Sequence, residues 1–244
     1  MSEFMIELAG KKVGATTIYE YTREYCSEFL CQGKQDFFVS ITAKDLSAEK
    51  DKSAREDALE GLPVREYSDA YLESIAIQRK ITEAFFDYDI LLFHGSVVAV
   101  DGVAYLFTAK SGTGKSTHTR FWREMLGERA VMVNDDKPFL KFEDGRVLAC
   151  GSPWNGKHKL GSNIMVPLKA ICILERGETD EIRPISAQEA LPMLFQQSAR
   201  PQNPGRMGKY MELIDRLATG VEFYRLKCTM SENAARVAYE AMRD

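Results

Sequence analysis

The 244-residue chain contains no apolar run of membrane-spanning length, which argues against a transmembrane helix. Its start, Met1-Ser2-Glu3-Phe4, has neither the basic residue nor the apolar stretch of an export signal. Cysteine is sparse: Cys26, Cys31, Cys150, Cys172 and Cys228 are scattered, odd in number, and never spaced Cys-x-x-Cys. That pattern indicates neither a disulfide framework nor a zinc knuckle. The three histidines, His94, His118 and His158, lack the close spacing of zinc ligands. There is no basic excess, since the net charge is −4, so nucleic acid is not expected as the main partner. Internal repeats and low-complexity segments are absent too. Together these absences leave a cytoplasmic globular protein with no membrane partner; self-association is left open.

What is present is the stretch Ala109-Lys110-Ser111-Gly112-Thr113-Gly114-Lys115-Ser116-Thr117. It fits the phosphate-loop pattern with Ala in place of the first Gly. Gly112 and Gly114 allow the backbone to turn so that successive N–H groups point at phosphate oxygens. Lys115 is then placed to reach the β- and γ-phosphates of ATP, and the Ser116 hydroxyl to hold Mg²⁺. Ser111, Thr113 and Thr117 complete the expected nucleotide-binding set. The flanks suit the motif, because Val103–Thr108 reads as a strand and Thr117–Leu126 as a helix whose positive end adds to the anion site.

The rest of the chain divides around this loop. Residues 1–88 form an expected accessory α+β region. It holds a hairpin around Gly10-Lys11, a strand at Phe37–Thr42, and a charged stretch at Asp45–Glu60 that is either an exposed helix or a connector. Gly61-Leu62-Pro63 breaks the chain. An amphipathic helix at Asp69–Phe86, capped by Ser68, follows. Residues 89–244 carry the chemistry. Asp101-Gly102 joins two β-rich runs as a hairpin, so the strand entering the loop has an antiparallel neighbour before it. Further strands are expected at Ala130–Val133, Phe139–Phe142, Arg146–Cys150, Lys169–Leu174 and Val221–Leu226. Helices are expected from Ser186, whose capping box includes Glu189, at Lys209–Ala218, and at Ser231–Met242.

Asp135-Asp136 closes one of these strands. Beside a phosphate loop, one Asp serves as the Mg²⁺ side and the other as the base for an attacking hydroxyl. Adjacency allows either order; Asp135 as base and Asp136 as metal-side partner is preferred. All three histidines fall between residues 94 and 158, and one of them is a candidate to handle a proton or contact the phosphate. Gly151–Lys159 pairs Trp154 with Lys157, a combination suited to holding an anionic substrate, and Arg200 and Arg206 in a later Pro/Gly-rich loop are candidates to close the same pocket.

His94-Gly95, the hairpin, Ser111-Gly112-Thr113-Gly114-Lys115-Ser116 and Asp135-Asp136 occur in an order that resembles the catalytic domain of HPr kinase/phosphorylase. That domain is similar in fold to phosphoenolpyruvate carboxykinase. The resemblance covers about Asp89 to Cys150. It implies an α/β (mixed α+β) kinase fold in which a mixed sheet carries the phosphate loop, with His94 and one Asp beside the transferred phosphate. Two departures stand out. Thr117 occupies the place of that family's Glu, and Gly151–Lys159 replaces its Gly-rich signature. The expected activity is an ATP·Mg²⁺-dependent phosphotransferase acting on a hydroxyl acceptor, either a protein serine or a small metabolite. The alternative is a nucleotide-sensing module without turnover.

Overall fold

The structure, a computed structural model, describes residues 1–59, 66–156 and 158–243. The expected break at Gly61-Leu62-Pro63 lies outside the described residues, as does Lys157. The chain divides into two compact units, Met1–Ala84 and Phe85–Asp244.

The first unit opens with a hairpin of β1 (Ser2–Leu8) and β2 (Lys11–Thr17). Its turn is Ala9-Gly10, both at positive φ, one residue before the expected position. Short helix α1 (Tyr21–Tyr25) then leads to β3 (Phe37–Ser40), which joins β2 in parallel. The charged stretch forms helix α2 (Ala43–Leu59). Thr42 and Asp45 cap it reciprocally, Asp45 accepting from the Thr42 N–H and Thr42 from the Asp45 N–H. Its acids meet bases of the next helix, α3 (Asp69–Phe85): Glu49 pairs with Arg79 at 2.9 Å and Asp45 with Lys80 at 2.8 Å. A charged sequence thus becomes an ordered helix by pairing laterally rather than by burying an apolar stripe. Ser68 caps α3 as expected, its hydroxyl accepting the Tyr71 N–H.

The second unit is built on a nine-stranded mixed sheet. Its strands are β4 (Ile90–Leu92), β5 (Ser96–Val100), β6 (Val103–Thr108), β7 (Ala130–Asn134), β8 (Phe139–Glu143), β9 (Arg146–Cys150), β10 (Met165–Arg176), β11 (Glu181–Pro184) and β12 (Glu222–Cys228). The order is β4-β8-β9-β10-β6-β5-β7, with β12 also on β10 and β11 on β12. Tight turns at Asp101-Gly102 and Asp144-Gly145, all at positive φ, make the β5–β6 and β8–β9 hairpins. β6, β7, β10 and β12 run the same way, and β5 opposes them.

Four helices cover this sheet: α4 (Lys115–Leu126), α5 (Ala187–Gln197), α6 (Met207–Gly220) and α7 (Glu232–Met242). Period-two alternation sorts the strand residues between two cores. Val97, Ala99, Leu106, Ile171 and Ile173 pack with Leu194, Leu213, Ile214 and Leu217 of α5 and α6. Val98, Val100, Tyr105, Phe107, Ala170 and Cys172 pack with Trp122, Ala235 and Ala238 of α4 and α7. Each large side chain so enclosed stabilises the fold by about 1.5–3 kcal/mol. Because both faces are covered, chemistry is confined to the ends of the strands. No helix among the described residues is long and apolar enough to cross a membrane.

Candidate active site at the strand ends

Strand β6 ends at Thr108, and the chain turns through Ala109–Gly114 into α4. Gly112 and Gly114 have φ of 73° and 111°, conformations that strain any residue with a Cβ. This is the local reason for both glycines. The Thr113 hydroxyl donates to the Lys110 carbonyl at 2.8 Å and tightens the loop, while Ser111 and Gly112 are exposed at its tip. Lys115, Ser116 and Thr117 form the first turn of α4, where backbone N–H groups have no partner within the helix.

The acid pair stands two strands away. Asn134, the last residue of β7, holds the turn: its Oδ1 accepts the N–H groups of Asp136 and Lys137 at 2.8 and 2.7 Å. Its amide donates to the carbonyl and hydroxyl oxygens of Ser152, both at 3.0 Å. Asp135 is 4% exposed. Ser96, opening β5, donates to its Oδ1 at 2.7 Å and lies 2.9 Å from the Thr119 hydroxyl of α4. Its Oδ2 is buried with no hydrogen-bond partner among the described residues. Gly156 packs against that oxygen; a Cβ there would lie 3.2 Å from it.

His94 precedes β5. Its N–H donates to the Gln197 carbonyl at 2.7 Å, its own carbonyl accepts from Thr108 Oγ1 at 3.1 Å, and Gly95 N–H donates to Asp136 O at 3.1 Å. These bonds set its imidazole Nε2 at 3.2 Å from Asp136 Oδ1. The Asp136 contact favours imidazolium, but burial and the charges of Lys137 and Lys115 outweigh it, so the His94 pKa falls below its ordinary value. Burial opposes ionisation of Asp136, yet the His94 contact and the two lysines win, and its pKa is lowered. Burial lowers the Lys115 pKa, with Asp136 and Asp135 acting the other way and Lys137 adding to the fall. Lys115, Asp135, Asp136 and His94 therefore form one electrostatically coupled cluster.

The expected substrate residues are placed differently. Trp154 is 3% exposed and sits edge-on to Phe139 at 6.3 Å, so its ring fills the core and has no face for a substrate. The backbone of its loop nevertheless reaches the acid pair, through Gly156. Arg206 is paired with Asp87 at 2.5 Å, which takes up its charge away from the role expected for it. Arg200 is exposed on the segment that leaves α5, just past the Gln197 carbonyl that holds His94. Ser96, Thr119, Asn134 and Gly156 were not singled out by sequence. Of these only Asn134 carried a signal, the turn chemistry of Asn-Asp-Asp-x-Pro.

Fold and site define an α+β domain with a glycine-bent strand-to-helix loop facing an acid pair across a mixed sheet. Residues 64–236 match the family described as SynChlorMet cassette protein ScmC, and the chain belongs to that family. No curated protein matches it. Among solved structures, it is similar to the Hpr(Ser) kinase/phosphatase from Coxiella burnetii over 63% of this chain and 99% of that one, at 14% identity and a TM-score of 0.36. That likeness is distant.

Proposed function

We propose that the second unit is an ATP-dependent phosphotransferase that moves a γ-phosphoryl group to a hydroxyl acceptor. The observation that carries this is the joint placement of the Gly112–Gly114 bend, Lys115 on the first helical turn, and the adjacent acids Asp135 and Asp136. A loop that only bound phosphate has no need of a neighbouring carboxylate with a buried, unpartnered oxygen.

The Asp135 Oδ2 atom fits a cation. Among the described residues no cluster of three or more His, Cys, Asp or Glu forms a metal cage. Mg²⁺ needs none, since it is commonly held by one or two carboxylates together with substrate phosphates and water. Asp135 and Ser116 are the residues assigned to it, and bound there it neutralises charge on the phosphates. This reverses the order preferred from sequence, because the Asp136 carboxylate is already engaged by His94.

Asp136 then takes the proton of the acceptor hydroxyl. The acceptor oxygen forms a new P–O bond, the bond to the bridging oxygen breaks, and ADP leaves with the electron pair. Neutral His94 donates Nε2–H to Asp136 and fixes the carboxylate's direction. Lys115 and the loop N–H groups stabilise charge on the transferring group. The test is transfer of label from γ-labelled ATP·Mg²⁺ to hydroxyl metabolites and small proteins. Lys115→Ala should abolish transfer and weaken ATP·Mg²⁺ binding while leaving Tm unchanged. A variant that binds as well as wild type ends the reading.

A further inference from the structure

Five strand ends lie along one edge of the second unit's sheet in the order β7, β5, β6, β10, β12. The acid pair and His94 belong to the first two, and the glycine loop to the third. The reacting end of a nucleotide anchored on that loop faces β5 and β7, which leaves the β10 and β12 ends for the other half. We infer that the nucleoside lies on the β10–β12 side with its base across Met230, and that this subsite recognises the face of the base rather than its hydrogen-bonding edge. This rests on the phosphotransferase reading above.

A closed seam beside the loop, with no free space even for a water molecule, is lined by Thr113, Gly114, Phe121, Leu174, Cys228 and Met230. Met230 is 49% exposed, yet its thioether lies directly over Gly114, where a Cβ would come within 2.4 Å of the methyl. The segment that carries it is held by one carboxylate. Asp180 accepts the N–H and hydroxyl of Thr229 at 2.8 and 2.9 Å, the Ser231 hydroxyl at 3.0 Å and the Asn233 amide at 2.8 Å. Arg176, ending β10, donates to the Gly112 carbonyl at 2.7 Å and ties the loop to the same side. A half-exposed, polarizable methionine beside a phosphate site suits an aromatic ring.

Edge recognition has little to work with here. The Thr113, Thr229 and Ser231 hydroxyls already bond within the protein, the Cys228 thiol donates to the Glu175 carbonyl, and the His118 ring accepts from Trp122. A site built to hydrogen-bond one base discriminates strongly; one that offers an apolar wall does not.

The test is titration of the full chain with MgATP, MgGTP and magnesium tripolyphosphate. ATP and GTP should bind within about threefold of each other. Met230→Ala should weaken both by about fivefold, the size of a sulfur–aromatic contact, and leave tripolyphosphate unchanged. Met230→Leu should restore part of the loss. An unchanged ATP affinity in Met230→Ala, or a preference between the two bases above about a hundredfold, overturns the inference and spares the phosphotransferase reading. A wild-type chain that binds neither tripolyphosphate nor nucleotide overturns both.

Discussion

His94 Nε2 lies 3.2 Å from Asp136 Oδ1, and this one contact joins the residue that enters β5 to the turn that leaves β7. Its electrostatic effect has a testable sign. The His94 contact is the largest of the influences lowering the Asp136 pKa. In His94→Ala the carboxylate's pKa rises, so the acid limb of a kcat/KM–pH profile should move to higher pH. Turnover at neutral pH should fall about a hundredfold, the scale of general acid–base assistance. The stability side follows the same sign. A carboxylate with a depressed folded pKa stabilises the fold above its unfolded pKa, and that contribution disappears as pH falls through the folded value. Carboxylate titration by NMR tests the shift without reference to turnover. An Asp136 titration unmoved in His94→Ala contradicts the coupling.

Trp154 provides a contrast between packing and binding. The sequence pairs it with basic residues as a substrate surface, but the ring is enclosed against Phe139. Trp154→Ala should cost about 3–5 kcal/mol of stability, as removal of a large core side chain does. Trp154→Phe should recover much of that. Where either variant stays folded, the acceptor KM should be close to wild type. A large KM rise in Trp154→Phe, with Tm little changed, would falsify the core assignment.

The pattern of what was legible in the sequence follows from the range of the interactions. The Asp101-Gly102 turn, the Ser68 and Ser186 caps and the glycine-bent loop are set by neighbours within a few residues, and each forms where the local chemistry requires it. β11 was missed because Glu181–Pro184 has no alternating apolar pattern; it is an edge strand held by pairing with β12. α2 was ambiguous because its order comes from ion pairs with α3, a partner further along the chain. In the site, Lys115 and the acids were readable as motif chemistry. The roles of Ser96, Thr119 and Gly156 were not, since each depends on which strand end lies beside which. The inward turn of Trp154 is likewise a tertiary fact, as a Trp beside Lys and His reads equally well as exposed.

His118 predicts an acid-sensitive fold. It is buried in the first turns of α4, accepts the indole N–H of Trp122 at 3.1 Å, and packs on Phe107. Burial lowers its pKa from 6.5 to about 4. The unfolded chain takes up a proton near pH 6.5 while the folded chain resists until about pH 4, so stability falls as pH drops across that window. The full effect is on the order of 3 kcal/mol. Urea unfolding of wild type and His118→Gln between pH 7 and pH 4 checks it. The variant starts less stable but should lose less on acidification. Parallel pH dependences in the two proteins would remove His118 as the cause.

Gly156 offers a way to probe Asp135 without altering its charge. Asp135 Oδ2 is buried and has no partner among the described residues, and a methyl group on Gly156 would stand 3.2 Å from it. That is tight enough that the carboxylate or the loop must shift by a few tenths of an ångström. If this oxygen holds Mg²⁺ beside the nucleotide, Gly156→Ala should raise the Mg²⁺ concentration needed for half-maximal transfer, by about tenfold. Asp135→Asn should raise it further, because the amide keeps the shape but loses the charge. Asp136→Asn should act differently, lowering kcat while the Mg²⁺ requirement stays near wild type. Metal-free binding of ATP should be similar in all three variants, since none alters the glycine loop or Lys115. The comparison thus separates the two acids by which parameter moves. If Asp136→Asn shifts the Mg²⁺ requirement and Asp135→Asn lowers only kcat, the roles are the reverse of those assigned, and the buried oxygen serves the proton rather than the metal.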